Sequence, residues 1–170
     1  FKACVQEGSI VKRVVLTSSL AAIAGDANET GKIYSEKDFC QPEGAQPYIK
    51  SKILSEKAAW NFVNDYKQKN LPCFELVVIN PAYIIGPIIH STFCASMEVS
   101  KRIMCKELPL LPNIFLPPCD VRDVAFAHVE SLVLDEVVSK RHLIVATKIP
   151  FSLQQFAKWL EEEFKPKGYS

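Results

Sequence analysis

The sequence lacks the features that mark several classes of protein. Its apolar runs are too short for a membrane-spanning helix, and its formal net charge of +1 offers no strongly basic surface for nucleic acid or an anionic membrane. Its six cysteines include no Cys-x-x-Cys pair, which argues against a zinc site or a disulfide framework. No signal peptide is recognisable. We therefore expect reduced thiols, no metal, no nucleic-acid or membrane partner, and a cytoplasmic location.

Glycine is also scarce. The six glycines form no turn of the Gly-x-x-Gly-x-x-Gly kind, whose backbone amides bind the pyrophosphate of a dinucleotide. Residues 1–8 resemble the last turns of a helix that ends at Gly8, and no capping residue opens it. Residues 165–170 are a polar run with no closing element. From these two ends we interpret the sequence as a fragment of a longer protein.

The apolar residues form short strands separated by helical patterns, which is typical of α/β proteins. Residues 11–17 and 74–79 carry consecutive apolar side chains, as strands buried on both faces of a parallel sheet do. A helix over residues 48–69 separates them, so we expect a right-handed crossover. Further expected elements are a helix over 92–106, a helix capped by Asp123 that runs to Val138, a strand over 142–146 and a helix from Ser152 to Phe164.

The helix over residues 48–69 begins with a tyrosine and a lysine one turn apart. Because Tyr48 and Lys52 are separated by four residues, their side chains share a helix face. A cation beside a phenol favours the phenolate, and such a pair can transfer a proton. The same spacing occurs on many solvated helix faces, so this interpretation depends on the surrounding residues. The expected packing side of the helix is Ile53, Leu54, Ala58, Trp60, Phe62 and Val63, and its expected polar side is Ser55, Glu56, Lys57, Asn61 and Asp65.

Hydroxyl side chains follow the first predicted strand directly, at Thr17, Ser18 and Ser19. Open α/β sheets bind ligands beyond the carboxyl ends of their strands, although a serine-rich turn has the same composition. The two serines point to opposite faces if the strand continues, so either can face a ligand. Pro81 ends the second strand because proline cannot donate to a ladder. We expect the serines, the Tyr–Lys pair and Pro81 at one edge of the sheet.

Three stretches in this order resemble a known family: residues 14–19 (Val-Val-Leu-Thr-Ser-Ser), Tyr48-x-x-x-Lys52, and residues 80–87 (Asn-Pro-Ala-Tyr-Ile-Ile-Gly-Pro). They are similar to motifs of the extended short-chain dehydrogenase/reductases. Residues 51–60 and 119–128 resemble the dihydroflavonol 4-reductase-like branch, and the resemblance covers essentially all 170 residues. It implies an α/β fold, namely the C-terminal part of a Rossmann-type doubly wound parallel sheet with a partial substrate-binding lobe.

The resemblance also implies a catalytic set and a reaction. Ser19, with Ser18 as the alternative, would bond the substrate oxygen, and Tyr48 would be the general acid or base. Lys52 would bond the nicotinamide ribose and favour the phenolate of the tyrosine. The implied reaction is hydride transfer to a small ketone or aldehyde, or the reverse oxidation of an alcohol.

The cofactor implied by the resemblance is NADP, or alternatively NAD. Residues that choose between the two belong to the glycine-rich region, which has no match here. The positions that would contact the cofactor are Thr17, Tyr48, Lys52, Pro81, Ile84 and Ser96. Of these, Ser96 would reach a phosphate.

The expected organisation follows the same resemblance. Residues 1–87 would belong to the cofactor-binding domain, residues 88–141 mainly to a substrate-side lobe, and residues 142–170 to a returning strand and helix. The protein would act as a monomer or homodimer. The polar residues 25–47 would wall the site, and His90 could face the substrate. We expect His128 to be an ordinary helix residue.

Two other functions stay open. The first is a nucleotide-sugar epimerase or dehydratase. Against it, residues 88–118 offer only Lys101, Arg102 and Lys106 to a sugar nucleotide's diphosphate. The second is a non-catalytic dinucleotide-binding sensor, and an intact Ser-Tyr-Lys set argues against that function.

Overall fold

The computed structural model describes residues 1–25, 31–89 and 95–168. Its strands are β1 (Arg13–Thr17), β2 (Glu75–Pro81), β3 (Tyr83–Ile85), β4 (Phe115–Leu116), β5 (Pro118–Asp120), β6 (Arg141–Ile144) and β7 (Phe151–Ser152). Its helices are α1 (Ala21–Ala24), α2 (Pro47–Gln68), α3 (Ala95–Met104), α4 (Val121–Val133) and α5 (Leu153–Phe164), with 3₁₀ turns at Lys2–Val5, Asp135–Val137 and Lys165–Lys167. The predicted α/β architecture is confirmed.

The chain divides into two compact units. The first comprises Phe1–Pro81 and Asp123–Ile144, and the second comprises Ala82–Arg122 and the chain from Val145 onward. These limits differ from the expected segments, because most of α4 and all of β6 belong to the first unit. The assignment of the segments to a cofactor domain and a substrate lobe stays a prediction.

The sheet of the first unit is parallel, with the strand order β1-β2-β6. Val15 pairs with Val77 across β1 and β2, and Ile79 pairs with His142 across β2 and β6. The central strand β2 is buried from its second residue to its last, as expected for a strand covered on both faces. The same expectation is wrong for β1, most of whose residues are half-buried, because in the described sheet β1 pairs on one side only.

Helix α2 packs on this sheet through a stripe of buried positions. Pro47 occupies its first turn, where a missing N–H costs nothing. The buried residues of the helix are Ile53, Glu56, Ala59 and Val63, which recur at helical spacing. Leu54 was expected on the packing side and is exposed, whereas Glu56 was expected on the polar side and is buried. The helix is therefore rotated relative to the face predicted from apolar residues alone.

The second unit contains two small sheets, a parallel pair of β3 and β5 and an antiparallel pair of β4 and β7. Phe151 is buried in this unit and contacts the rings of Tyr83, Phe156 and the exposed Trp159 at centroid distances of 6.1, 5.2 and 5.6 Å. The predicted cap of α5 is confirmed, since Ser152 Oγ accepts a hydrogen bond from the Gln155 amide at 3.1 Å.

The expected ends of two helices are wrong. The chain opens with a 3₁₀ turn that ends at Val5, not with a helix that ends at Gly8. Helix α4 begins at Val121 and ends at Val133, and its first turn is capped by Asp120, whose Oδ1 accepts from the Arg122 amide at 2.8 Å. Asp123 lies inside the helix, one turn too late to cap it. The expected start of α3 at residues 92–94 lies outside the described residues.

Two searches of the described residues were negative. No helix among them is both long and apolar enough to cross a membrane. No cluster of three or more His, Cys, Asp and Glu side chains in the same residues has the arrangement of a metal site. Among the described cysteines, Cys4, Cys40, Cys73 and Cys105 are free thiols.

Candidate functional site

The carboxyl ends of β1 and β2 hold the hydroxyl residues in place. Past the end of β1, the Ser18 amide donates to the Ile79 carbonyl and the Leu20 amide donates to the Pro81 carbonyl, both at 2.8 Å. These bonds extend the parallel pairing by three residues, so Ser19 lies beside the end of β2. The short helix α1 begins two residues after Ser19 and packs against α2. The strand end and α2 therefore meet through α1.

The two serines that the sequence left as alternatives have different surroundings. Ser18 is buried, and its hydroxyl donates to Glu56 Oε2 at 2.5 Å. Ser19 is half-buried, and its Oγ accepts a hydrogen bond from the Ala21 amide at 3.2 Å. Across the part of the chain that the structure describes, the Ser19 hydroxyl has no acceptor for its own hydrogen. Ser19 can thus donate to a ligand oxygen, whereas Ser18 already donates within the core.

Tyr48 and Lys52 lie in the first two turns of α2. Tyr48 is 59% exposed, Lys52 is half-buried, and the Lys52 Nζ lies 5.7 Å from the centroid of the Tyr48 ring. Within residues 1–25, 31–89 and 95–168, neither the phenol oxygen nor the ammonium group has a hydrogen bond or an ion pair with another side chain. Both polar groups are therefore available to a ligand, and their proximity suits proton transfer.

Thr17 makes a hydrogen bond that the sequence did not predict. His128 Nδ1 lies 2.7 Å from the Val124 carbonyl oxygen, which can only accept, so Nδ1 carries a hydrogen. In the neutral imidazole Nε2 is then the acceptor, and the Thr17 hydroxyl donates to it at 2.7 Å. The Thr17 oxygen keeps a lone pair for a ligand. His128 is a half-buried residue of α4, and the expectation that it is no catalyst stays a prediction.

Ile84 and Ser96, the other two positions of the expected cofactor site, lie in the second unit. Ile84 is half-buried in β3 and pairs with Cys119. Ser96 is half-buried in the first turn of α3, and its carbonyl accepts a hydrogen bond from the Tyr83 hydroxyl at 2.7 Å. His90, for which a plain loop residue was favoured over a substrate-facing one, lies outside the described residues.

Comparisons with known proteins identify the family. No family model matches the chain. The NADPH-dependent methylglyoxal reductase GRE2 of Saccharomyces cerevisiae is 31% identical over 169 residues, which is 91% of this chain and 48% of the relative. The cinnamoyl-CoA reductase CAD2 of Medicago truncatula is 35% identical over 135 residues, 74% of this chain and 38% of the relative. The chain belongs to the extended short-chain dehydrogenase/reductases.

The fold of this short-chain dehydrogenase/reductase agrees with that of solved members. The crystal structure of the yeast methylglyoxal/isovaleraldehyde reductase Gre2 with NADPH matches with a TM-score of 0.77 at 31% identity, over 91% of this chain and 48% of that one. The parallel sheet is therefore part of a Rossmann-type fold, as predicted. The chain spans about half the length of the curated relatives it matches.

Sequence reasoning missed a polar cluster inside this short-chain dehydrogenase/reductase. Glu56 and Asn80 are fully buried, and the Arg141 side chain is 9% exposed and pairs with Glu56. One signal was present, since Glu56 stands four residues after Lys52 and three after the buried Ile53, within the buried stripe of α2. The charge of Glu56 concealed that signal, because charged residues are rarely buried without a partner.

Proposed function

We propose that this protein is an NADP-dependent reductase of a small ketone or aldehyde, which can also oxidise the corresponding alcohol. The observation that carries the proposal is the pair of unbonded polar groups on α2, the Tyr48 hydroxyl and the Lys52 ammonium, one turn apart. The two relatives support it, because both are named as reductases and one of them is named as NADPH-dependent.

The residues present suit a nicotinamide cofactor. Lys52 offers a cation with no ion pair among the described residues, and Thr17, an exposed residue at the carboxyl end of β1, offers a hydroxyl oxygen. Both are groups that can hold ribose hydroxyls or an amide. Pro81, at the end of β2, would add a further contact, and the cofactor contacts expected of Ile84 and Ser96 stay predictions. NADP is favoured over NAD because a solved relative contains NADPH.

The reaction divides between cofactor and protein. Bound NADPH would supply the hydride, and the protein would supply position and a proton. Ser19 would donate its free hydroxyl hydrogen to the carbonyl oxygen of the substrate. Tyr48 would protonate that oxygen as negative charge develops on it. Lys52 would stabilise the phenolate that remains on Tyr48, because a positive ammonium attracts a neighbouring negative charge.

A carbonyl panel tests the proposed function. The protein expressed from its complete coding sequence should oxidise NADPH when ketones or aldehydes are added, and the corresponding alcohols should form. An epimerase or dehydratase would act on a sugar nucleotide with no net consumption of NADPH. A sensor would bind NADPH and turn nothing over. Either outcome would refute the reductase assignment.

Replacement of the tyrosine tests its role. We expect Tyr48→Phe to lower kcat by about 10²- to 10⁴-fold, the usual contribution of a general acid, because it deletes a proton and little volume. The Kd for NADPH should change little. Tyr66→Phe is the matched control, since it removes a hydroxyl from the same helix at a position outside the proposed site. Near-normal turnover by Tyr48→Phe would mean that another group is the acid.

A further inference from the structure

Glu56 is a fully buried carboxylate in the middle of α2, and four residues donate hydrogen bonds to it. Its Oε2 accepts from the Ser18 hydroxyl at 2.5 Å and from Asn80 Nδ2 at 2.8 Å. Its Oε1 accepts from Trp60 Nε1 at 3.1 Å and from Arg141 Nε at 2.5 Å. Such a carboxylate is held in one orientation, because any rotation would leave a buried donor unpaired.

Two of these donors hold the backbone around Ser19. Ser18 directly precedes Ser19 in the chain, and its hydroxyl is hydrogen-bonded to the Glu56 carboxylate. Asn80 Nδ2 donates both to Glu56 and to the Ser19 carbonyl, the second bond at 3.1 Å. Asn80 is fully buried in β2 and cannot exchange these partners for water. The Asn80 side chain therefore links the Glu56 carboxylate directly to the Ser19 backbone.

Arg141 supplies the cation beside the carboxylate. Its side chain is 9% exposed, and its guanidinium also donates to the carbonyls of Glu36, at 2.9 Å, and Asp38. It lies 4.3 Å from the centroid of the Phe39 ring. A buried carboxylate is tolerated when a cation and further donors compensate it, and all of these are present here.

The position of Glu56 along α2 connects it to the proposed acid. Tyr48, Lys52 and Glu56 follow one another at intervals of four residues, so they lie along one face of the helix. Glu56 is thus the point at which the helix that carries Tyr48 is bonded to the strand ends that carry Ser19. We propose that Glu56 is a positioning residue, which sets Ser19 relative to Tyr48 and Lys52 through Asn80 and Ser18. The role in catalysis rests on the function proposed above.

The test separates the two oxygens of the carboxylate. Asn80→Leu keeps the approximate volume and removes the link to Ser19, whereas Trp60→Phe removes a donor from the other oxygen and leaves that link intact. Glu56 itself is a poor target, because its loss would leave Arg141 buried without a counter-charge. In the complete protein we expect Asn80→Leu to lower kcat/KM for the carbonyl substrate at least about tenfold, because misplacement by about 1 Å costs that much or more. The Kd for NADPH should change less than twofold in both variants, and Trp60→Phe should keep kcat/KM within about twofold of wild type.

A second readout does not depend on activity. Amide hydrogen exchange at Ser18 and Leu20 should accelerate about tenfold in Asn80→Leu and remain unchanged in Trp60→Phe. If Asn80→Leu does not fold, Ser18→Ala takes its place in both measurements, since it removes only one hydroxyl. Equal effects of the two variants on kcat/KM and on exchange would overturn the positioning role. If wild type reduces no carbonyl, the proposed function fails, and the exchange data alone then decide whether the bonded network of Glu56, Asn80 and Ser18 holds Ser19.

Discussion

Asp120 gives a prediction at the scale of a single residue. The Arg122 side chain and amide both bond its carboxylate, and they lower its pKa from 3.8 to about 2. Because the pKa is lower in the folded protein, the contact stabilises above the ordinary pKa and is lost as the pH falls towards 2. Wild type should lose stability as the pH falls from about 4 to about 2, and Asp120→Asn should lose less over the same interval. The urea concentration at the unfolding midpoint, measured at each pH, gives the difference.

Glu136→Gln is the control for that experiment. Glu136 is exposed in the 3₁₀ turn that follows α4, and its loss should leave the pH dependence over this interval as in wild type. If Asp120→Asn and Glu136→Gln show the same slope as wild type, the Arg122 contact contributes nothing to acid stability.

Gly86 gives a second residue-scale prediction. Its φ is +138°, and a Cβ at this position would lie 2.8 Å from Val121 Cγ1. Gly86→Ala should therefore combine backbone strain with a clash and cost about 3 kcal/mol. Gly44 is the matched position, with φ +74° and no atom near its Cβ, so Gly44→Ala should cost only about 1 kcal/mol. Chemical denaturation of both variants measures the difference, and equal costs would show that Val121 moves aside.

At the same scale, the sequence identified candidate site residues better than it identified their hydrogen-bond partners. Tyr48 and Lys52 were recognisable because their spacing is local and set by the helix. The difference between Ser18 and Ser19 was not, since it depends on Glu56, which is distant in sequence and approaches only after α2 packs on the sheet. The same holds for the bond between Thr17 and His128, which joins residues 111 positions apart.

The cap of α5 gives a prediction at the scale of an element. Ser152 Oγ is the only side-chain acceptor found for the first-turn amides of α5 in the described chain, and it bonds the Gln155 amide. Ser152→Ala should cost about 1 kcal/mol, whereas Ser152→Asp should keep most of the stability because its carboxylate can accept the same bond. Urea unfolding of the two variants, followed by circular dichroism, measures the effect. A loss in Ser152→Asp as large as in Ser152→Ala would mean that the bond itself contributes little.

Elements were predicted well where the pattern is long and poorly where tertiary contacts decide. Helix α2 and strand β2 agree closely with expectation because periodicity and apolar runs define them. Strand β3 was missed, since it has three residues and owes its pairing to β5. The rotation of α2 was also missed, because a charged residue in its buried stripe carries no apolar signal.

The two compact units set the limit of prediction at the scale of the whole molecule. The sequence predicted a boundary at residue 87 and a returning strand from residue 142. The structure has a strand there, β6, which lies beside β2 and pairs His142 with Ile79. It also places most of α4 in the first unit, which no local sequence pattern indicated because tertiary packing decides it.

The last prediction concerns cofactor binding by the 170-residue chain alone. The sequence contains six glycines and no Gly-x-x-Gly-x-x-Gly turn, so these residues carry no phosphate cradle of that kind. The contacts proposed for Thr17, Tyr48 and Lys52 concern the nicotinamide end, and a dinucleotide held at one end forgoes the binding energy of its pyrophosphate and adenosine. We therefore expect no saturable binding of NADPH or NADH at micromolar concentration by calorimetry, with circular dichroism as the control for folding. A tight, stoichiometric titration would place the principal cofactor contacts within these 170 residues.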